Sequence, residues 1–306
     1  MPAALTHYLF GKRNLDPAMD EQAFLLGCQG PDPFFFMGMV PWIKTKDPKA
    51  IRDYGEYLHH HDFASIYAKM LSFALRKEDE ERAMLISYLK GLWGHYCLDR
   101  CCHPYVFFRS GFDENGALNG HSGYAHKVFE ALMDATLASA FHLPSAKKAL
   151  KISKAKREGI SLMWAFASPL LAPDSFSLSL SSYAAVEGFL QSKTGLKRIL
   201  WKALGKENVL YAFSYPHFLK KKKKFDVLNK KKAIWLNPVS GERSDLSVEE
   251  MFDEAGSLYR LGEGLSQARL SEEEIASALS ELEDSIDHDG CLFSGKKVFK
   301  DAKSPF

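Results

Sequence analysis

The sequence predicts an all-α protein. Apolar residues recur at the spacing of one helix face from about residue 17 to residue 142, whereas the alternation typical of strands is weak throughout. The 306 residues are 46% hydrophobic and 13% aromatic, which is enough for a sizeable core in one large domain or in one domain with an appendage. The net charge of +2 gives no general reason to expect a nucleic-acid or membrane partner.

Helix signals follow one another through the first half of the chain. The expected helices have an apolar face or a recognisable start and end, and they cover residues 18–27, 48–57, 63–75, 80–101 and 122–140. The helix over 80–101 is apolar nearly all round, which predicts that it is buried. Gly30-Pro31-Asp32-Pro33 predicts a tight turn, because each proline lacks a backbone donor and restricts the residue before it. Residues 110–119 are polar and glycine-rich, which favours a loop.

The composition changes near residue 145, and we place a domain boundary there. We expect residues 1–144 to form a metal-binding helical core and residues 145–306 to form a mainly helical extension packed on it. In the extension, we expect a basic amphipathic stretch over 147–157, then a helix through 165 and a serine- and proline-rich loop over 169–182. Further helices are expected over 184–204, 247–265 and 271–285. The lysine runs at 220–224 and 230–232 predict a solvated surface, with contact to an anionic substrate, a phospholipid or a nucleic acid as the alternative.

The five cysteines do not form the pattern of a secreted disulfide framework. Cys97, Cys101 and Cys102 cluster within one or two helical turns, and Cys28 and Cys291 are isolated. We expect the clustered thiols to be core residues rather than zinc ligands. The chain opens without a signal segment and has no apolar run of the ~18 residues needed to cross a bilayer, so we expect a cytoplasmic protein with reduced thiols.

Two pairs of a histidine and a carboxylate carry the strongest functional signal. His95 and Asp99 are four residues apart, and so are His126 and Glu130, with His103 between the two pairs. Residues i and i+4 lie on the same face of a helix, where an imidazole nitrogen and a carboxylate oxygen can bind one divalent cation together. If the helix over 80–101 is buried, its polar side chains need partners, and a metal ion is an effective one.

The wider set of candidate ligands points to more than one ion. It comprises His7, Asp32, one or more of His59, His60 and His61, and then His95, Asp99, His103, His126 and Glu130. Nitrogen and oxygen ligands suit Zn²⁺, with manganese or iron as alternatives. The set is too large for one tetrahedral ion and suits two or three ions that share a bridging carboxylate, for which Asp99 is the natural candidate. Clustered metal ions are typical of phosphoester hydrolysis.

These residues also carry a family resemblance over about residues 1–140. The motifs are Thr6-His7-Tyr8, Gly30-Pro31-Asp32, Leu58-His59, Gly94-His95-Tyr96-x-x-Asp99, His103-Pro104 and His126-x-x-x-Glu130. In this combination and order they resemble the zinc-dependent phospholipase C family, which is similar in turn to the P1-type nucleases. The resemblance implies an all-α fold that binds three zinc ions in a cleft. It has no counterpart for residues 145–306.

The resemblance also implies a role for each candidate ligand. Asp32, His59, His95 and Asp99 would hold one zinc ion, His103, His126 and Glu130 a second, and His7 with the bridging Asp99 a third. Asp32 would in addition act as the general base for the attacking water. In secreted members an amino-terminal tryptophan supplies its amine and carbonyl to the third zinc, whereas position 1 here is Met. Among the three adjacent histidines, the Gly55-x-x-Leu58 context favours His59.

The first functional hypothesis is a metal-dependent hydrolase of phosphoesters in which activated water attacks phosphorus. Its substrate would be a phosphodiester or phospholipid-type small molecule; a P1-like nuclease or nucleotidase is an alternative that is not favoured. The second hypothesis is a metal-stabilised helical scaffold or binding protein without turnover. The third is an HD-type phosphohydrolase built on His61-Asp62, which would leave His103, His126 and Glu130 unexplained. The sequence leaves the oligomeric state open.

An aromatic run follows Asp32 and Pro33. It consists of Phe34, Phe35 and Phe36, and Met37, Met39 and Trp42 come next. The run has two interpretations that the sequence does not separate. The aromatic rings are either a plug in the core or an apolar wall of the cleft, suited to a lipid chain or a stacked base.

Overall fold

The all-α prediction is confirmed by a computed structural model, which describes residues 4–60, 63–111, 120–192, 225–238, 240–263 and 271–283. Strands in this part of the chain form one short antiparallel pair, β1 (Trp235–Leu236) with β2 (Arg243–Ser244), in which Trp235 is opposite Ser244. No helix within these ranges combines the length and the apolar character that crossing a membrane requires.

Helices account for the architecture on both sides of residue 144. In chain order they are α1 (Ala4–Asn14), α2 (Glu21–Gly27), the 3-10 helix η1 (Asp32–Phe36), α3 (Pro48–His60), α4 (Phe63–Leu75), α5 (Asp79–Ser110), α6 (Gly120–Ala140), α7 (Ala146–Ala149), α8 (Lys154–Ala167), α9 (Ser175–Leu190), α10 (Val248–Glu263) and α11 (Glu272–Glu283). Helix α10 packs on α5 and α11 packs on α4, so described residues from both sides contribute to one hydrophobic core. The domain boundary at residue 144 stays a prediction.

Helix α5 is the central element, and α1, α2, α4, α6, α8 and α10 pack around it. Its closest neighbour is α2. At their contact, Gly27 of α2 faces α5, and Gly91 of α5 faces α2. A Cβ atom at Gly27 would lie 2.0 Å from the carbonyl oxygen of Tyr88, and one at Gly91 would lie 2.1 Å from the carbonyl oxygen of Phe24. The two backbones therefore approach to a distance that only glycine permits.

Helix α5 extends further than the sequence predicts. The expected end was Cys101, but the helix continues through Pro104 to Ser110. Proline removes one helical hydrogen bond, and the loss is offset because Tyr105 and Phe107 in the following turn are buried. As a result His95, Asp99 and His103 lie four residues apart on one continuous helix, and therefore on one face.

The predicted loop over 169–182 is wrong in its second half. Helix α9 begins at Ser175 and packs on η1 and α8. Ser179 and Ser182 are fully buried, because a small side chain lets the helix approach its neighbours closely. Serine-rich composition favours loops in general, and tertiary packing overrides that tendency here.

Helix α1 was not expected from the sequence, although it contributes a candidate ligand. Its residues Thr6, His7 and Gly11 are buried, so polar and small side chains interrupt the apolar pattern that identifies a helix. Several expectations lie outside the described residues, namely the lysine run 220–224, the His61-Asp62 pair, Cys291, and the expected helix beyond residue 192.

Candidate metal centre

The candidate ligands converge from five elements in the interior of the fold. These residues are at most 7% exposed, and they are His7 on α1, Asp32 on η1, His59 on α3, His95, Asp99 and His103 on α5, and His126 and Glu130 on α6. Their nitrogen and oxygen atoms form three groups in which all ligand atoms lie within 4.8 Å of one another. These buried groups have the composition and the spacing to bind metal ions.

Asp99 lies between two imidazoles. Its Oδ1 atom is 3.2 Å from Nε2 of His7, and its Oδ2 atom is 3.2 Å from Nε2 of His95. The two imidazole rings stack with centroids 4.4 Å apart and an interplanar angle of 27°. Each carboxylate oxygen therefore faces a different nitrogen, which is the arrangement that a carboxylate bridging two ions requires.

Asp32 forms the second group with His59 and His95. Its Oδ1 atom is 3.2 Å from Nε2 of His59 and 4.0 Å from Nε2 of His95, and its Oδ2 atom is 3.9 Å from Nε2 of His7. His95 thus faces both carboxylates, so the group around Asp32 and the group around Asp99 are contiguous.

The third group joins α5 to α6. Glu130 Oε1 lies 3.1 Å from Nε2 of His126 and 3.6 Å from Nε2 of His103. The centroids of the two imidazole rings are 5.9 Å apart. His103 is one helical turn beyond Asp99 on α5, so this group neighbours the one around Asp99.

The imidazoles of His59 and His95 are oriented by backbone carbonyl groups. Nδ1 of His59 donates to the carbonyl oxygen of Gly55 at 2.8 Å, and Nδ1 of His95 donates to the carbonyl oxygen of Cys28 at 3.2 Å. A carbonyl oxygen only accepts, so the proton of each neutral ring is on Nδ1 and the lone pair is on Nε2. That lone pair points toward the carboxylates, and an Nδ1–H held by a carbonyl oxygen is the usual arrangement in histidines that bind a metal through Nε2.

His126 is oriented in the same way by a hydroxyl group. The Ser110 hydroxyl donates to the carbonyl oxygen of Val106 at 2.8 Å, so its oxygen is left to accept a proton from another donor. Nδ1 of His126 lies 3.4 Å from that oxygen. The ring therefore donates through Nδ1 and directs the Nε2 lone pair at Glu130.

Buried polar atoms face one another across this centre. Within the described ranges, both oxygens of Asp99, the Oδ2 atom of Asp32 and both ring nitrogens of His7 are buried without a hydrogen-bond partner. Buried polar atoms without partners are rare and costly. Imidazole nitrogens and carboxylate oxygens are the usual ligands of Zn²⁺, so a divalent cation fits this set.

Electrostatics favour the ionised form of two carboxylates in this centre and the neutral form of one imidazole. Burial raises the pKa of Asp99, but the nearby imidazoles of His95, His103 and His7 hold it well below the ordinary aspartate value. Glu130 behaves likewise: burial raises its pKa, and His126 brings it well below the usual range. Burial in turn lowers the pKa of His126, which favours the neutral ring.

Gly30 makes room for one of the ligands. It adopts a left-handed conformation with φ of 55°, and a Cβ atom there would lie 2.2 Å from Cδ2 and 2.5 Å from Nε2 of His95. Only glycine meets both requirements, because other residues would be strained and would collide with the imidazole. The Gly30-Pro31 turn therefore places Asp32 against His95.

Asp134 is a residue whose role the sequence did not reveal. It follows His126 and Glu130 at the same spacing on α6, and its Oδ1 atom accepts from the Thr6 backbone N–H at 2.5 Å and from the Thr6 hydroxyl at 2.8 Å. Burial raises the pKa of Asp134 to about 7. Through these bonds Asp134 ties α6 to the first turn of α1, next to His7. Its spacing from His126 is visible in the sequence, but its partner is not.

Of the adjacent histidines, His59 is directed to the centre. His60 lies near the surface with Nε2 3.1 Å from Glu56, and His61 is outside the described residues. Phe34 and Phe36 are core residues, since Phe34 packs edge-on against Trp164 with ring centroids 5.2 Å apart. Phe35 is half-buried and lies beside His59, with ring centroids 4.9 Å apart.

Because His59 faces the centre and His60 lies near the surface, we expect different results when each histidine is replaced. His59→Ala removes a ligand atom, so we expect a loss of at least one bound ion, or at least a 10-fold weaker affinity for it. His60→Ala removes a surface contact, and we expect the metal content to stay unchanged. Elemental analysis after dialysis measures both variants. A larger loss in His60→Ala than in His59→Ala would contradict the assignment.

The cysteines are separate from this centre. Cys97 and Cys102 are buried in the hydrophobic core, and burial raises the pKa of each thiol well above the usual value. Burial likewise raises the pKa of Cys101 to about 12. The three ligand groups of the described chain contain no cysteine. A pocket of about 400 Å³ is lined by Cys101 and Trp235 but by none of the candidate ligands.

Three contiguous ligand groups thus lie in the interior of an all-α fold. The fold class itself does not name a reaction, because one fold class serves many chemistries. Comparisons of the chain with protein-family models, with curated proteins and with solved structures find no match.

Proposed function

We propose that this protein is a zinc-dependent hydrolase of phosphoesters, similar to the zinc-dependent phospholipases C. The observation that carries the proposal is the position of Asp99 between His7 and His95, with a second and a third ligand group directly beside it. Several metal ions a few ångströms apart are a common arrangement for phosphoester hydrolysis. The motif resemblance of residues 1–140 points to the same chemistry.

The motif resemblance supplies the ligand sets, and their members all lie within the three groups. Asp32, His59, His95 and Asp99 would hold one ion, His103, His126 and Glu130 a second, and His7 with Asp99 a third. Two or three Zn²⁺ ions fit these sets, and other divalent metals with a preference for nitrogen and oxygen ligands are alternatives. Zinc bound there would polarise the phosphoryl group and lower the pKa of a nearby water.

Asp32 is the residue that we assign to proton transfer. Its Oδ1 atom is close to His59, whereas its Oδ2 atom is buried and has no hydrogen-bond partner among the described residues. Oδ2 is therefore the atom that would accept the proton of the water that attacks phosphorus. The leaving alcohol would depart opposite the attacking oxygen, as an in-line displacement requires.

The substrate would be a phosphodiester or phospholipid-type small molecule. Phe35 supports a substrate with an apolar part, since it is half-buried and lies against His59, so its ring would contact groups that do not react. A nucleic acid or a nucleotide is the alternative substrate, because the zinc-dependent phospholipase C family is similar to the P1-type nucleases.

A second function is favoured by the burial of the ligands. The eight residues are at most 7% exposed, and ions enclosed so completely would stabilise the fold whether or not substrate reaches them. The protein would then be a metal-stabilised helical scaffold without turnover.

The two functions are separated by assaying the zinc-loaded and the metal-free protein on matched substrates. We expect the loaded protein to hydrolyse a chromogenic phosphodiester faster than the corresponding phosphomonoester. Metal-free protein should keep helical circular dichroism at 20 °C but lose the hydrolysis, and zinc should restore it. Loss of helicity on chelation, with no hydrolysis of phosphodiester, phosphomonoester, phospholipid or single-stranded DNA by the loaded protein, would contradict the enzyme and support the scaffold.

A further inference from the structure

A surface loop next to the metal centre presents a tryptophan to solvent. The loop covers residues 37–47 and connects η1, which carries Asp32, to α3, which carries His59; we call it the Trp42 loop. Trp42 is 78% exposed and Met39 is 38% exposed. Large aromatic side chains are usually buried, and an indole exposed to this extent is available to a partner.

The Trp42 loop is held in place by hydrogen bonds within its turn and at its base. The backbone N–H of Ile43 donates to the carbonyl oxygen of Val40 at 3.0 Å, which closes a tight turn around Trp42. Nη1 of Arg52 on α3 donates to the carbonyl oxygen of Met37 at 2.6 Å. Because the turn is closed and its base is bonded to α3, the indole is displayed by an ordered segment.

Positive charge accompanies the exposed indole. Lys44 and Lys46 are exposed and form no ion pair with the acidic residues that the structure describes. The one acidic residue of the loop, Asp47, accepts from the backbone N–H of Ala50 at 2.9 Å at the start of α3. The loop therefore presents an apolar aromatic ring and two available ammonium groups.

We propose that the Trp42 loop docks on an anionic lipid surface. An indole is favoured at the headgroup level of a bilayer because it is both apolar and a hydrogen-bond donor, and lysines beside it attract lipid phosphates. Trp42 inserts at this level while Lys44 and Lys46 contact the phosphates. Docking brings the η1–α3 side of the metal centre to the lipid layer. Any effect of docking on hydrolysis rests on the proposed function, whereas the binding of the loop to lipid does not.

The test is cosedimentation of the zinc-loaded protein with vesicles of phosphatidylcholine alone or mixed with phosphatidylglycerol. We expect binding to the mixed vesicles, and a weaker affinity in Trp42→Ala by at least fivefold. Removing both lysines, in Lys44→Ala/Lys46→Ala, should weaken binding at low salt by roughly fivefold for each charge. Leu170→Ala is the matched control, because Leu170 is 69% exposed but lies between α8 and α9. It should bind as the unaltered protein does.

Three results would overturn the docking proposal: no binding to the mixed vesicles, equal binding to neutral vesicles, or unchanged affinity in Trp42→Ala. A change of oligomeric state in Trp42→Ala without vesicle binding would also overturn it and assign the loop to a protein interface. Trp42→Ala should hydrolyse a water-soluble phosphodiester at the unaltered rate. A protein that binds mixed vesicles but hydrolyses nothing would contradict the proposed function and leave docking supported.

Discussion

Replacing Asp99 with asparagine is expected to remove at least one bound ion and to lower phosphodiester hydrolysis by more than 100-fold. Asp99 faces His7 with one oxygen and His95 with the other, and it belongs to two of the proposed ligand sets, so the substitution affects both sets at once. Loss of a residue that merely orients a ligand already costs 10- to 100-fold in affinity or activity, and Asp99 is a ligand itself. Elemental analysis and hydrolysis rates measure the two effects.

Glu187→Gln is the matched control for this variant. Glu187 on α9 is also a buried carboxylate, but it belongs to none of the three ligand groups and accepts from the Gln191 side chain at 3.2 Å. Burial raises the pKa of Glu187 to about 8, so the residue is largely protonated at pH 7 and glutamine resembles it. We expect near-normal metal content. Normal metal content and normal hydrolysis in Asp99→Asn would refute the bridging role.

Removing the metal ions is expected to lower the melting temperature by about 10 °C. Ions that bind only the folded state stabilise it, by about 2.7 kcal/mol for each site at a free concentration 100 times its dissociation constant. Two such sites contribute about 5 kcal/mol, and each kcal/mol corresponds to about 2 °C in a domain of this size. The physical cause is that chelation leaves Asp32, Asp99 and the imidazoles buried without a cation. Thermal unfolding followed by circular dichroism with and without a chelator measures the shift.

Two controls accompany this measurement. Adding zinc in excess of the chelator should restore the original melting temperature, which separates metal removal from other effects of the chelator. Asp99→Asn should respond less to the chelator, because an asparagine amide can donate to Nε2 of His95 without a cation. An identical melting temperature before and after complete removal of the metal would contradict a metal centre that stabilises the fold.

The paired ligands could be predicted because their spacing encodes their geometry. His95 with Asp99 and His126 with Glu130 are one helical turn apart, so a shared face follows as soon as each segment is helical. His7, Asp32 and His59 lie on three other elements, and no periodicity joins them to α5. They are candidates because histidines and acidic residues are common metal ligands, and the motif resemblance implies a role for each.

The remaining features depend on tertiary packing that local sequence does not report. The groups that orient His59 and His95 are carbonyl oxygens of Gly55 and Cys28, and every residue has such an oxygen. The continuation of α5 past Pro104 depends on burial of the turn that follows it. The serines of α9 favour a loop by composition, but packing against η1 buries them within a helix.

The most direct test of the metal centre is X-ray diffraction from zinc-loaded crystals, measured on both sides of the zinc absorption edge. We expect two or three anomalous peaks among the three ligand groups, with nitrogen and oxygen ligands at about 2.0–2.2 Å. One peak should lie within reach of Asp99, between His7 and His95. Absence of anomalous density there, or zinc bound only at other residues, would contradict the proposed centre and the hydrolase built on it.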